Sequence, residues 1–289
     1  MPVSALQHSS RQRKPMSTNT TNAKPRSVVT VPSLRQRKAD GAKIAMLTCY
    51  DASFAAHFDA AGVDAVLVGD SLGMVIQGQA STLPVTLDHM VYHCAAVSRG
   101  LHAPLLIADM PFMSYRDVPT ALVSAGRLLA EAGAAMVKVE GAGWLLDVIA
   151  ALSARDVPVC AHLGLTPQSV HKLGGYRVQG KLEGDAKRLL EDAHAVAGAG
   201  AELLVLECVP AELATRITGE LAIPTIGIGA GAGCDGQVLV LYDMLGITPG
   251  HRPRFSKDFL SGRDSIDAAL AAYVGAVQDS SFPGPEHSY

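Results

Sequence analysis

From Lys43 onward the chain repeats one pattern: a short apolar run, a turn of small residues, and then a stretch with helical spacing of its apolar positions. The apolar runs are KIAMLTCY (43–50), VDAVLVGD (63–70), APLLIADM (103–110), AAMVKVEG (134–141), VPVCAHLG (157–164), AELLVLEC (201–208), IPTIGIGA (223–230) and GQVLVLYD (236–243), eight in all. They are apolar throughout rather than alternating, so each strand is buried on both faces, as in a parallel sheet covered by helices. Helical stretches such as TALVSAGRLLAEAG and GDAKRLLEDAHAVAGAG lie between them, each ending on the glycine that often closes a helix. Eight such units in roughly 250 residues fit a closed (β/α)8 barrel better than an open doubly wound sheet, although spacing alone leaves the open form standing.

The periodic region predicts one catalytic-sized domain over residues 28–275. Residues 1–27 are rich in Ser, Thr, Asn and basic residues and are expected to be disordered, and residues 276–289 are expected to form a loose tail. The N-terminal composition also suits a transit peptide, but its apolar positions lack the amphipathic periodicity for one. The chain is expected to stay inside the cell.

Composition narrows the partners. The 289 residues are 48% hydrophobic and 18% charged, with a formal net charge of −3. Near-neutral charge with no concentrated basic face argues against nucleic acid, and no run reaches the roughly 18 to 20 apolar residues of a membrane span. Small molecules are the expected partners. Cysteines 49, 94, 160, 208 and 234 are scattered without a CxxC pair and sit in or beside apolar runs, which describes reduced thiols that pack in a core.

Polar residues stand at the ends of five consecutive runs: Asp70, Asp109, Lys138 with Glu140, His162, and Glu207. Taken singly, each has an ordinary explanation. Asp70 could cap the next helix, Lys138 and Glu140 could neutralise each other, and His162 could be a hydrogen-bonded core residue. Glu207 resists such a reading, because its neighbours in LLVLECVP are apolar on both sides. An ionised group in mid-strand would cost several kcal/mol unless paired, so the tolerable place for all of them is the open C-terminal mouth of a barrel, where side chains from neighbouring strands converge. Residues 138 and 140 are two apart and face the same side.

Three carboxylates without a His or Cys pair suit a hard cation such as magnesium. Asp70 and Asp109 are the preferred direct ligands, with Glu140 binding directly or through water, and a 2-oxo acid is the natural chelating substrate. Lys138 would pair with its carboxylate. A metal at the keto oxygen acidifies the neighbouring C–H, and Glu207, stripped of water by its apolar flanks, is the candidate base. The GAGCDG segment (231–236) matches the letters of a dinucleotide loop, but a strand rather than a helix is expected after it, so close backbone approach is the plainer role for Gly227, Gly229, Gly231 and Gly233.

The segments MLTCYDASFA, VGDSLGMVIQG, STLPVTLDHMVYH, ADMPFMSY, MVKVEG, AHLGLTPQSV, GGYRVQG, LLVLECVP and IGIGAGAGCDGQVLV, followed by GITPGHRPRFSKDFL, together resemble the ketopantoate hydroxymethyltransferase family over roughly residues 28–260. The resemblance implies a (β/α)8 TIM barrel of the phosphoenolpyruvate/pyruvate type and a cytoplasmic homo-oligomer, a decamer. It also implies magnesium-dependent transfer of a hydroxymethyl group from 5,10-methylenetetrahydrofolate to 3-methyl-2-oxobutanoate, giving 2-dehydropantoate for pantothenate synthesis. Residue by residue, it implies one magnesium ion per subunit on Asp70, Asp109 and Glu140. Substrate contacts fall on Asp70, Ser71, Asp109 and Lys138, a supporting hydrogen bond on His162, and the proton acceptor on Glu207. Ser71 could in addition cap the turn that follows it. Three rivals remain: a metal-dependent lyase of pyruvate-type 2-oxo acids without folate, a Schiff-base aldolase using Lys138, and a non-catalytic barrel. The aldolase is disfavoured because Glu140 should keep the amine protonated, and the non-catalytic barrel because every strand-end carboxylate is present.

Overall fold

Eight parallel strands close on themselves in sequence order: β1 (Ile44–Thr48), β2 (Ala65–Val68), β3 (Leu105–Asp109), β4 (Met136–Glu140), β5 (Val159–Gly164), β6 (Leu203–Glu207), β7 (Thr225–Ile228) and β8 (Gly236–Leu239). The last pairs with the first, Met46 opposite Val238, which settles the choice between closed barrel and open sheet. The computed structural model describes residues 26–250 and 252–289. The segment expected to be disordered lies outside the described residues up to residue 25. From there the chain docks at once, with the Val29 amide donating to the Ala103 carbonyl at 2.7 Å.

Each apolar run contains a strand, and the strands are buried almost without interruption. Their inner side chains fill the lumen and their outer ones meet the helices in a single core. Helix starts follow local capping chemistry. Asp51 accepts from the Ser53 and Phe54 amides ahead of the helix Ala52–Ala61, and Gly62 closes that helix in the left-handed region at φ 87°. Asp117, Thr86 and Ser265 cap the helices Val118–Ala130, Leu87–Gly100 and Ile266–Gln278 in the same way.

Two connections depart from the regular pattern. The last apolar run was expected to be strand as far as Asp243, but the strand stops at Leu239 and the helix Leu241–Met244 follows, its Leu241 amide donating to Thr48 Oγ1. Between β7 and β8 the chain returns through a glycine-rich loop without a helix. A Cβ on Gly231 would lie 2.6 Å from the Cβ of Ala211, and one on Gly233 would collide with Thr215. The glycines thus let this loop lie against the helix Ala211–Glu220, and GAGCDG leads into β8 as the sequence implies.

The expectation of a loose tail is corrected. The helix Ile266–Gln278 covers the seam between β1 and β8, where the Tyr273 hydroxyl lies within donating distance of the Met46 and Gln237 carbonyls. Beyond it Phe282 is buried against Phe259 and Tyr273, and the Tyr289 carbonyl accepts from the Ala211 amide at 2.9 Å. Aromatic anchors hold a segment whose Ser, Pro and Gly content suggests looseness. No helix among the described residues is long and apolar enough to cross a membrane, and all five cysteines are buried and unbridged.

Candidate active site

The parallel register carries the strand-end residues to one place. Asp109 stands opposite Lys138, Glu140 opposite His162, and Glu207 opposite Gly164, so β3, β4, β5 and β6 deliver them to the same end of the barrel. Asp70 comes from the turn after β2 rather than from the strand itself, and its amide donates to Asp109 Oδ2 at 3.0 Å. These side chains line the floor of a cavity of about 960 Å³ at the barrel mouth.

Lys138 is the hub. Its ammonium contacts Asp109 Oδ1 closely and lies 3.4 Å from Glu140 Oε1, with all three side chains almost wholly buried. Burial pushes the lysine down, and the carboxylates of Asp109, Glu140 and Asp70 overcome it, holding the amine well above its ordinary value. An amine held in its protonated form by neighbouring carboxylates is a poor Schiff-base former, which weighs against the aldolase reading. Glu140 is held down to about 2: burial opposes its ionisation, but Lys138, His162 and the Gln168 amide outweigh burial.

Asp70 and Asp109 are not balanced in this way. Burial, together with the charges of its carboxylate neighbours, pushes Asp70 well above its ordinary value, and Asp109 is raised by burial in spite of Lys138. His162 bridges the cluster toward Glu207: its Nδ1 lies 3.4 Å from Glu140 Oε1 and its Nε2 3.2 Å from Glu207 Oε2. Both contacts lie off the line of a good hydrogen bond, so the attraction is chiefly one of charge. Burial and Lys138 push the imidazole down, but the two glutamates lift it to about 9, a protonated ring at neutral pH. The Glu207 side chain is 13% exposed, against 2–4% for Asp109, Lys138, Glu140 and His162, so it is the member of the group that reaches into the open cavity.

Ser71 stands beside Asp70 at the start of the short helix Leu72–Val75, but its hydroxyl makes no capping bond. It pairs instead with the Tyr50 hydroxyl at 2.8 Å, so the expected cap does not form, and Ser71 lines the cavity.

Gln168, which carries no charge to mark it in the sequence, proves central. Its backbone amide donates to Glu140 Oε2 at 3.0 Å, and its side-chain Nε2 donates to Asp70 Oδ2 at 2.9 Å and to the Met110 carbonyl. Its Oε1 accepts from the Tyr115 hydroxyl at 2.6 Å, which fixes the amide so that nitrogen faces Asp70. The only available signal was position: TPQS follows the polar end of β5 directly, and Pro167 starts a 3-10 turn that swings Gln168 over the mouth.

Among the described residues, no three His, Cys, Asp or Glu side chains already stand at metal-ligating spacing. Lys138 sits close against Asp109 and Glu140, and Gln168 engages Asp70. The chemistry of the donor set nonetheless fits a hard divalent cation. All three carboxylates present oxygen, they outnumber the lysine, and the raised state of Asp70 and Asp109 marks negative charge that the protein itself leaves uncompensated.

A family model described as ketopantoate hydroxymethyltransferase matches residues 28–285. A 3-methyl-2-oxobutanoate hydroxymethyltransferase of Paraburkholderia phymatum is 58% identical over 91% of this chain and 97% of its own. The protein of that name from Burkholderia thailandensis is 60% identical over the same shares. Among solved structures, phosphonopyruvate hydrolase in complex with oxalate and Mg2+ superposes with a TM-score of 0.57 at 12% identity, covering 88% of this chain and 98% of the other. The 2,3-dimethylmalate lyase of the PEP mutase/isocitrate lyase superfamily gives 0.53 at 19% identity over 73% and 81%. At those identities the structural likeness speaks for the barrel alone.

Proposed function

The chain belongs to the ketopantoate hydroxymethyltransferase family, and from that premise we propose how its barrel mouth transfers a hydroxymethyl group from 5,10-methylenetetrahydrofolate to 3-methyl-2-oxobutanoate, giving 2-dehydropantoate and tetrahydrofolate. Asp70, Asp109 and Glu140 would hold one magnesium ion per subunit, which when bound polarises the keto oxygen and acidifies the adjacent C3–H.

The protein's own groups do the rest. Lys138 Nζ, kept protonated by the surrounding carboxylates, neutralises the carboxylate of the oxo acid. Ser71 Oγ, already turned by Tyr50, offers a hydrogen bond at the rim of the same floor. Glu207 takes the C3 proton onto a carboxylate oxygen, and His162, 3.2 Å away, orients that carboxylate and supports its charge as the proton moves. The C3 carbanion equivalent bonds to the methylene carbon, both carbon–nitrogen bonds that joined this carbon to N5 and N10 of the folate break, one water supplies the hydroxyl group, and the two nitrogens take up the remaining proton of that water and the proton removed from C3. Cytoplasmic location and a homo-oligomer, a decamer, belong to the same reading.

One observation carries it: an unbroken chain of charged contacts runs from Asp109 through Lys138, Glu140 and His162 to Glu207, so the base is tied to the carboxylates that fit a cation. The test is solvent deuterium exchange at C3 of 3-methyl-2-oxobutanoate, which needs the oxo acid and magnesium but no folate. Glu207→Gln should lower exchange by about 10²–10⁴-fold while magnesium binding persists. Undiminished exchange would remove Glu207 from the role. Turnover without folate would instead favour the lyase.

A further inference from the structure

The cavity is much larger than its floor. At about 960 Å³ it reaches the upper end of what a drug-sized ligand occupies, far beyond a five-carbon oxo acid. The strand-end charged groups Asp70, Asp109, Lys138, Glu140, His162 and Glu207 lie at the bottom, and the outer part is built differently. Its walls are apolar and aromatic, from Met74, Tyr176, Phe255 and Tyr289, with a single cation, Arg254, at the rim.

This outer part is constructed rather than incidental. The C-terminal segment folds back over the mouth, anchored by Phe282, by the Ala211 amide on the Tyr289 carbonyl, and by Arg254 Nε donating to the Glu286 carbonyl at 3.0 Å. The Arg254 guanidinium stacks over the Tyr289 ring at 5.5 Å from its centroid. Gly229 makes room for the arrangement. At φ 63° it accepts a side chain poorly, and a Cβ there would lie 3.0 Å from the Phe255 ring and 3.1 Å from the Tyr289 ring. On the opposite wall the Tyr176 hydroxyl lies 3.6 Å from Met74 Sδ. Among the described residues neither terminal nitrogen of Arg254 has a carboxylate partner, although the side chain is held in place by Nε and the ring below it.

We propose that this outer chamber is the binding site for the one-carbon carrier, with the flat pterin and aminobenzoyl rings between the aromatic walls and Arg254 at the rim receiving the glutamate carboxylates. The inference rests on the reaction proposed above and adds the residues that choose its co-substrate. The order follows from chemistry. The reactive methylene bridges N5 of the pterin and N10 of the aminobenzoyl group, at the end of the cofactor opposite the glutamate, and must reach the C3 carbon beside Glu207, so the pterin end points inward. The glutamate then points toward solvent, where the free guanidinium nitrogens are. A guanidinium fork matches a carboxylate in two hydrogen bonds, which makes Arg254 the residue that distinguishes a folate from a bare pterin.

The experiment compares calorimetric binding of tetrahydrofolate with that of a tetrahydropterin lacking the aminobenzoylglutamate, using the full-length protein, its Arg254→Ala and Arg254→Lys variants, and Tyr289→Ala. Arg254→Ala should weaken tetrahydrofolate roughly tenfold or more, with a much smaller effect on the pterin, and Arg254→Lys should recover part of the loss. Tyr289→Ala should weaken both ligands. The KM for methylenetetrahydrofolate should rise in parallel, by far more than any change in folate-free C3 exchange. Equal loss of both ligands in Arg254→Ala, or no loss of either, overturns the assignment even where exchange shows the oxo-acid site to be sound. Absence of exchange in the unaltered protein would instead overturn the reading of the floor.

Discussion

The two ends of the barrel treat buried carboxylates in opposite ways. At the N-terminal end Asp64, fully buried just ahead of β2, receives Arg26 at 2.7 Å, Arg37 at 2.8 Å and the Ala45 amide at 3.0 Å. Nearby Asp235 receives Lys38 Nζ at 2.7 Å and the Thr225 amide at 2.8 Å. At the C-terminal end Asp70, Asp109 and Glu140 share one lysine, and Asp70 has an amide nitrogen rather than a cation as its partner. Burial raises both Asp64 and Asp70, but at Asp64 the opposing groups are two guanidiniums, whereas at Asp70 two further carboxylates push in the same direction as burial. One end therefore uses its charge to hold the fold, while the other gathers carboxylates that its own cations do not balance.

Neutralising one carboxylate at each end tests that division, with the largest effect expected on catalysis. Asp70→Asn should lower turnover on the order of a thousandfold, since it removes a proposed ligand at the centre of the chemistry. The metal-free protein should melt no lower than the parent, because a buried and poorly compensated charge has been removed. Asp64→Asn should do the reverse. It leaves two guanidiniums facing a neutral amide and should cost about 3–5 kcal/mol of stability, read from denaturant midpoints, with C3 exchange per folded molecule retained. A large loss of stability in Asp70→Asn would contradict the contrast.

Stability as a function of pH sharpens it further. Asp70 and Asp109 have raised folded-state values, so the folded chain holds protons that the unfolded chain has released. Their contribution to stability is complete below the ordinary carboxylate range and is lost as pH rises through the raised values. His162, lifted to about 9, acts in the same direction between its ordinary value and about 9. The metal-free protein should accordingly weaken as pH rises from about 5, by up to ~1.4 kcal/mol per pH unit for each group while it titrates. Magnesium should flatten the slope, because it favours the ionised carboxylates. Urea midpoints at several pH values with and without magnesium read this directly, and a slope unaffected by the metal would place the excess charge elsewhere.

The same contrast explains what could be read in the sequence. The strands were legible because parallel strands buried on both faces are written as continuous apolar runs, and a charge at the end of such a run has no packing explanation. Lys138, Glu140, His162 and Glu207 announced themselves in this way. Gln168 and Tyr115 did not, because a neutral amide and a phenol can sit in any loop, and their importance comes from hydrogen-bond direction that only the folded turn defines. The tail was misjudged for a related reason. Its anchors, Phe282 and Tyr289, are isolated aromatics whose partners Phe259, Tyr273 and Arg254 belong to other segments of the chain. At the opposite end Asp64 drew no notice, since Arg26 and Arg37 approach it from a region where no periodic pattern had formed.

The smallest expected effect concerns the orientation of a single amide. Tyr115 donates to Gln168 Oε1 and so leaves Nε2 for Asp70. In Tyr115→Phe the amide loses that constraint, and a flipped Gln168 would set its oxygen against the carboxylate. Magnesium affinity should fall roughly tenfold, as when a partner behind a metal ligand is removed, and the fold should lose about 1–3 kcal/mol for the unsatisfied buried oxygen. The protein carries its own reporter for the change. Trp144, the single tryptophan, stacks on Tyr115 with ring centroids 6.2 Å apart and planes 10° apart, so magnesium titration can be followed by its fluorescence in parent and variant alike. A parent-like titration in Tyr115→Phe would show that Asp70 is held by the Met110 carbonyl's grip on Gln168 alone, and that the C-terminal end is oriented by backbone as firmly as the N-terminal end is held by its arginines.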